Sequence, residues 1–338
     1  MIRHLFRTPN LHVTALEQPA DERWDAELEA AGQPFRFSHR AGAGRAFEAA
    51  FASYRFIPCQ VQYSDGAAAL FPIVRMERRL GPLSMALGMP LGLEGTPIAL
   101  QGELTARHVE LLLAVLDRCG ALNLSGGAGG SPPALGSTTE EVTHVLDLTC
   151  GYDQLWRRSF TDRTRNMCRK AQRAGLEVAA QSGERAVDAY YDLYARNSVQ
   201  RGYASPPYPR RLFHALLATG AAELWSARVN GELIAGAVLL RGSEDLLYWS
   251  GAMDRERRSA APSNAVIRAA IESACERGYA YFDFGSSNGL PGVEAFKRSF
   301  GAAAKPYTTI SLSSWPYRRI DRATRAIGLV HQQARARA

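Results

Sequence analysis

The sequence predicts an α+β protein in which mixed sheets are flanked by helices, and two repeated patterns predict it. The first is a hairpin. Residues 60–74 read strand, Asp65-Gly66 turn, strand, and residues 226–240 read the same around Asn230-Gly231. Both dipeptides suit the positive φ angles of tight turns, and the two turns lie 165 residues apart. The second pattern is a helix that ends at a glycine and runs into a short apolar strand. It occurs as residues 109–119, Gly120 and residues 121–126, and again as residues 265–277, Gly278 and residues 279–285. Those glycines are 158 residues apart, and two matches nearly in register argue for a duplicated unit.

The remaining elements follow in order. Residues 126–137 have the Gly, Pro and Ser content of a loop. The run Gly126-Gly127-Ala128-Gly129-Gly130-Ser131 lacks a following Gly-Lys-Ser/Thr, and Pro132-Pro133 blocks an immediate helix, which argues against a phosphate loop. After a strand at residues 142–148 the boundary is expected near residue 150. This divides the chain into residues 1–150, residues 151–314 and a basic tail, 315–338. The second half opens with a long helix, residues 152–174, closed by Gly175. Leu155, Phe160, Met167, Ala171 and Ala174 are its expected buried side; Arg158, Arg165, Arg169 and Arg173 share the exposed one. A strand at 176–180, helices at 187–196 and 209–219, the hairpin, a helix at 265–277 and a strand at 281–284 complete the half.

Hydrophobic residues make up 46% and charged residues 22%, an ordinary globular balance. No apolar stretch is long enough to span a bilayer, and residues 1–7 do not read as a signal peptide, so a cytoplasmic location and no membrane insertion are expected. The five cysteines are odd in number and scattered, with no CxxC pair and no histidine at zinc spacing. Reduced thiols and no metal site are expected. Cys168 sits among arginines, an environment that lowers a thiol pKa, but no Cys-His signature gives it a role. The net charge is +7 and it is concentrated. Residues 156–173 hold seven basic residues and one acid, and residues 315–338 hold six arginines and one acid. Such stretches suit a polyanion, although two solvated helix faces would look the same.

Arg165, Arg169-Lys170-Ala171, Gly175 and Val178 together resemble the R-x-x-x-R-K-A-x-x-x-G-x-x-V stretch of Fem-type transferases. Asp283-Phe284-Gly285, followed by Phe296-Lys297-Arg298-Ser299-Phe300-Gly301, resembles their closing DFG…FK-x-x-F/W-G segment. The same pattern occurs in a sister group, the BioF2-like or CelD-like acetyltransferases, and both belong to the Gcn5-related N-acetyltransferase (GNAT) superfamily. The resemblance covers residues 150–312 and extends to the first half in architecture only. It implies tandem GNAT-like domains and transfer of an acyl or aminoacyl group to an amine. The donor is aminoacyl-tRNA in the Fem-type enzymes and acyl-CoA in the sister group. No cofactor beyond the donor is implied, and the acceptor would be an amine-bearing small molecule or an envelope precursor.

The candidate residues follow from both arguments. Aminolysis passes through a tetrahedral oxyanion that needs a fixed cation or donor. Lys297 can supply it, and the resemblance points this lysine at the activated carbonyl. Asp283, on an apolar strand, would orient the acceptor or act as base; alternatively it caps the following turn or pairs with an arginine. Tyr248 and Ser250 alternate with Leu247 and Trp249 and are candidate pocket donors, with Phe296 and Asn288 as further substrate contacts; core packing is the competing role for Phe296. Arg165, Arg169, Arg173, Arg257 and Arg258 are the candidate tRNA or phosphate contacts. Ordinary GNATs place an R/Q-x-x-G-x-G/A turn at the CoA pyrophosphate. Here residues 257–262 read Arg-Arg-Ser-Ala-Ala-Pro, which weakens the CoA alternative. A non-catalytic polyanion-binding protein is the remaining alternative.

Overall fold

The computed structural model describes residues 11–77, 84–90, 93–115, 119–126, 136–287 and 289–313. In chain order the first elements are β1 (Val13–Glu17), α1 (Asp21–Ala30), α2 (Ala41–Ala50), β2 (Tyr54–Tyr63), β3 (Ala68–Glu77), β4 (Ser84–Leu87), β5 (Ile98–Gln101), α3 (Ala106–Val115), β6 (Cys119–Ser125) and β7 (Gly136–Asp147). Then come α4 (Tyr152–Gln154), α5 (Asp162–Arg173), β8 (Glu177–Gln181), α6 (Glu184–Gln200), α7 (Arg210–Ala218), β9 (Ala222–Val229) and β10 (Glu232–Arg241). The chain ends with β11 (Asp245–Met253), α8 (Pro262–Glu276), β12 (Tyr281–Ser286), α9 (Pro291–Arg298) and β13 (Ala303–Ser313).

Two compact units result: Met1–Gly32 with Phe51–Glu140 and Thr308–Ala338, and Gln33–Ala50 with Glu141–Tyr307. They are interleaved rather than sequential. Leu312 of β13 is buried in the core of the first unit with Leu122, Leu124, Phe71 and Ile73, so the chain returns after the second unit to complete the first. Residues 33–50 go the other way. The Phe35 carbonyl accepts from Ser243 N at 2.8 Å, and α2 packs against α7.

Each unit is a mixed sheet, and the two sheets have one ladder order. The first runs β1-β2-β3-β4-β6-β13, with β5 also on β3; the second runs β8-β9-β10-β11-β12-β7. Every pairing is antiparallel except β4 with β6 in one and β11 with β12 in the other. The two units thus share one strand order, with β5 as an addition in the first.

The second hairpin forms as its Asn-Gly pair predicts, with φ of 50° at Asn230 and 77° at Gly231. In the first, Gly66 alone has positive φ, at 89°, and the Asp65 carboxylate instead accepts from Ala67 N at 3.1 Å. Gly278 closes α8 in the left-handed region. Gly120 does not close α3: it lies inside β6, and the helix ends at Val115.

The long helix expected at 152–174 is broken. After α4 come one π turn, Leu155–Ser159, and an extended Phe160 with ψ of 129°. Thr161 then caps α5, its hydroxyl accepting from Thr164 N at 3.2 Å. The cap and the burial of Phe160 beside Phe300, centroids 5.1 Å apart, outweigh helical continuity. The buried face of α5 is Thr164, Cys168 and Ala171; Ala174 is exposed. Burial pushes the Cys168 thiol up to about 11, with Arg268 opposing, so the surrounding arginines do not make it reactive. Cys59, Cys150, Cys168 and Cys275 are free thiols.

The core of the second unit joins Phe160, Phe282, Phe284 and Phe300 to Val266, Ile267, Ala270, Ile271 and Ala274 of α8. No helix among the described residues is long and apolar enough to cross a membrane, and none of their His, Cys, Asp and Glu side chains cluster as a metal site.

Candidate active site

The site is built where two parallel strands separate. β11 and β12 pair at Asp245 with Tyr281, Leu246 with Phe282 and Leu247 with Asp283. Beyond that point β11 continues on β10 and β12 on β7. Carboxyl ends of diverging parallel strands are where open α/β sheets take ligands, because backbone groups there are freed from the ladder.

Asp283 stands at the parting point and is buried. One carboxylate oxygen accepts from Thr143 Oγ1 at 2.5 Å and from Gly285 N at 2.8 Å. The other lies 3.4 Å from Arg36, whose closer ion pair is with Asp245 at 2.6 Å. Asp283 therefore has both holding roles, turn cap and arginine partner, and its oxygens are engaged by protein donors. A general base would need a free lone pair aimed at the acceptor. The aspartate is better described as a positioning group.

What it positions is Lys297. The Asp283–Gly285 hydrogen bond shapes the end of β12, where Gly285 takes a φ of 70°. The carbonyls of Gly285 and Ser286 there accept from Lys297 Nζ at 2.7 and 2.8 Å. Pro291 starts α9 and carries the lysine, only 2% exposed, back over β12. Burial lowers the amine to about 8, with the Asp283 charge pulling the other way. An ammonium has three N–H groups, and the two carbonyls fix it while a third donor is left for a developing oxyanion.

The other expected contacts divide. Tyr248 lies edge-on to Phe284, centroids 6.4 Å apart, and burial pushes its phenol up to about 12. Its ring requires a glycine nearby, since a Cβ on Gly251 would fall 1.7 Å from Tyr248 Oη. Ser250 is buried and bonded to Tyr190 Oη at 2.9 Å. Phe296 packs on Phe300 at 5.2 Å, as part of the core. Asn288 lies outside the described residues.

Of the expected phosphate contacts, Arg165 is committed elsewhere. It donates to the carbonyls of Trp156 at 3.0 Å, Arg157 at 3.2 Å and Phe160, and pairs with Asp162. These are the carbonyls freed by the π turn, so Arg165 holds the helix break together. Arg169 and Arg173 are exposed on α5, with Arg169 over the Trp156 ring at 5.7 Å. Arg257 and Arg258 are exposed just before α8, where Arg257 pairs with Glu232 at 3.4 Å. At the head of α8, Ala261 has φ 54° and ψ 44°: the backbone is left-handed, as a glycine turn would be, but carries a methyl group. The basic tail, residues 315–338, lies outside the described residues.

Sequence reasoning missed Arg36, Thr143, Asp245, His144, Ser287 and Glu294. His144 is buried, 3.5 Å from Ser287 Oγ and 3.7 Å from Glu294 Oε1. Glu294 carried one local signal, being three residues before Lys297 on the same helix. Arg36 and Thr143 carried none, because topology alone brings them in.

The equivalent parting in the first unit is closed by its own chain. After Leu87 pairs with Asn123, Gly88 N bonds the Asn123 carbonyl at 2.6 Å and Gly95 N bonds the Ser125 carbonyl at 2.8 Å. The second unit is the one arranged for chemistry.

Comparison with known proteins agrees. Residues 158–298 match the family described as an acetyltransferase (GNAT) domain. The fold is similar to that of FemX at 14% identity and TM-score 0.62, covering 87% of this chain and 97% of that one. It is also similar to L-PGS from Bacillus licheniformis at 15% and 0.55, covering 90% and 96%. A tandem GNAT protein from the clavulanic acid biosynthesis pathway matches at 13% and 0.52, covering 90% and 98%. No curated protein matches in sequence. Residues 158–298 thus carry an acetyltransferase (GNAT) domain, which makes an acyltransferase of the second unit, and the chain as a whole is similar in fold to FemX and to the tandem GNAT protein.

Proposed function

We propose that the protein moves an aminoacyl group from aminoacyl-tRNA to an amine, forming an amide-type bond in the cytoplasm. The carrying observation is the grouping of exposed cations on adjacent elements. Arg163, Arg169, Lys170 and Arg173 are exposed on α5, and Arg157 and Arg158 on the turn before it. α5 packs against α8 and the turn that opens it, where Arg255, Arg257 and Arg258 are exposed. That is more positive charge than one CoA pyrophosphate calls for, and it suits the run of phosphates in an acceptor stem. An aminoacyl ester is already activated, so the protein has to supply orientation and oxyanion stabilisation. Lys297 fills the second role.

An acyl-CoA donor is favoured by one observation, the left-handed turn at Ala261, which keeps the backbone shape of a phosphate-binding turn at the head of α8. Binding of labelled charged tRNA at two salt concentrations, against RNA of the same length and acetyl-CoA, separates the two. Salt-sensitive preference for charged tRNA supports the proposal. Equal binding of any RNA, or preference for acetyl-CoA, overturns it. Lys297→Ala, folded by circular dichroism, is expected to lose at least about a hundredfold in transfer rate.

A further inference from the structure

Two buried carboxylates stand on the strands that part. Asp245 pairs with Tyr281 at the start of β11, and Asp283 lies two residues further along β12. Like charges so placed repel, and burial adds to their cost. One guanidinium holds both: Arg36 Nη1 is 2.6 Å from Asp245 Oδ2 and 3.4 Å from Asp283 Oδ2. Arg36 belongs to neither strand. It comes from the segment between α1 and α2, which is built onto the β10–β11 turn. Ser243 N donates to the Phe35 carbonyl at 2.8 Å, and Phe35 N donates to Ser243 Oγ at 2.9 Å. Arg36 N donates to His39 Nδ1 at 3.0 Å, and Phe35, Phe37, Ser38 and His39 are buried. A Cβ on Gly242 would fall 2.1 Å from Asp245 Oδ1 and 2.7 Å from the Phe35 carbonyl oxygen, so the turn admits both only because it carries no side chain there.

We propose that Arg36 is a positioning residue for acyl transfer: its guanidinium bridges Asp245 and Asp283 across the parting, keeps both ionised, and so holds the end of β12 that anchors Lys297. The inference rests on the acyl-transfer reading of Lys297. Arg36, Asp245, Asp283 and Lys297 come from the inserted segment, β11, β12 and α9, and their charges cancel. His144 of β7 and Glu294 of α9 face each other and Ser287 instead. Ionised Asp283 is the acceptor for Gly285 N and Thr143 Oγ1, and its charge holds the Lys297 amine up against burial. Removing the guanidinium leaves two carboxylates beside one ammonium. Loss of a fixed positive charge raises the proton affinity of the groups around it, Lys297 included.

The test is urea unfolding of the full chain from about pH 7 to about 11, comparing each background with and without Lys297→Met. In wild type the difference rises once the folded-state amine loses its proton. In Arg36→Met that rise should begin about one pH unit higher. Adding Asp245→Asn removes the excess negative charge and should bring the onset back, while Arg36→Lys should keep it near the wild-type position. A side chain that merely packs would move neither. An onset unmoved in Arg36→Met, or not restored by Asp245→Asn, overturns the inference. Should Arg36→Met fail to fold, Asp245→Asn alone decides: losing one carboxylate should lower the onset, and an unmoved onset overturns the inference. In transfer from charged tRNA, Arg36→Met should be about tenfold slower and the double variant should recover; an unchanged rate in Arg36→Met also overturns the inference. No transfer by wild type would remove the proposed donor and leave the unfolding result to decide for Arg36.

Discussion

Burying the Lys297 amine should make stability depend on pH in a window set by that group. Its pKa falls from 10.5 to about 8 on folding. Between those values the unfolded chain binds a proton that the folded one lacks, so stability rises with pH. The penalty is full below about pH 8 and disappears by about 10.5. At about 1.4 kcal/mol per pH unit, the whole penalty is about 3 kcal/mol, and about 2 kcal/mol of it is relieved between pH 7 and 9.5. Cys168 and Cys275, both pushed up to about 11 by burial, act in the opposite direction above about pH 9. The quantity to measure is therefore the difference between wild type and Lys297→Met, obtained by urea unfolding across that range. Methionine leaves the Gly285 and Ser286 carbonyls without their donor, a cost of about 1–3 kcal/mol that does not vary with pH. The stability advantage of wild type over the variant should grow by about 2 kcal/mol from pH 7 to 9.5. In Asp283→Asn the rise should begin at lower pH, since the aspartate charge holds the amine up. A wild-type advantage flat to within about 0.5 kcal/mol would mean that the lysine is not desolvated, and the oxyanion argument would lose its physical basis.

Three further expectations separate structural arginines and strained backbone from function. Arg165→Met frees the carbonyls of Trp156, Arg157 and Phe160 and should cost about 1–3 kcal/mol in urea unfolding. The exposed pair Arg169→Ala with Arg173→Ala should leave the unfolding midpoint alone and lower the salt slope of RNA binding by about 2; an unchanged slope would put the RNA elsewhere. Ala261→Gly relieves a left-handed alanine, worth about 1–2 kcal/mol, at a glycine entropy cost of about 0.5–1 kcal/mol. A Tm that is unchanged or raised by a few degrees is expected, and a clear drop would show that the methyl group packs rather than strains.

Local signals in the sequence reached most elements of the second unit, and they failed where tertiary contacts decided the outcome. The Asn230-Gly231 hairpin and the α8–Gly278–β12 connection were legible because turn chemistry and hydrophobic pattern agree there. The break at Phe160 was not, although Thr161-Asp162 is a helix start signal, because the surrounding residues are good helix formers and the ring's place beside Phe300 is a long-range fact. The site divides in the same way. The motif singled out Lys297, which the structure buries against the Gly285 and Ser286 carbonyls. The motif gave no means of choosing among the roles open to Asp283, since Thr143 and Arg36, which choose for it, arrive from 140 residues away and from the opening segment.

Duplication explains why one ladder serves twice, and the glycines explain why only one copy is arranged for chemistry. In the first unit, Gly88 and Gly95 come so close that a Cβ on Gly95 would lie 2.2 Å from the Gly88 carbonyl carbon, and one on Gly88 would lie 2.4 Å from the Gly95 carbonyl oxygen. No side chain can be accommodated at that approach without moving backbone. It lets the chain bond back to the Asn123 and Ser125 carbonyls beside the parting of β4 and β6. In the second unit, the polar groups beyond the parting are instead taken up by Asp283, Lys297 and their partners. A backbone seal uses only groups that every sequence has, whereas the charged arrangement keeps a desolvated amine that is costly at neutral pH. A cost retained in one copy and avoided in the other is what selection for a positioned cation would leave, and it supports our proposal that acyl transfer takes place at the end of β12.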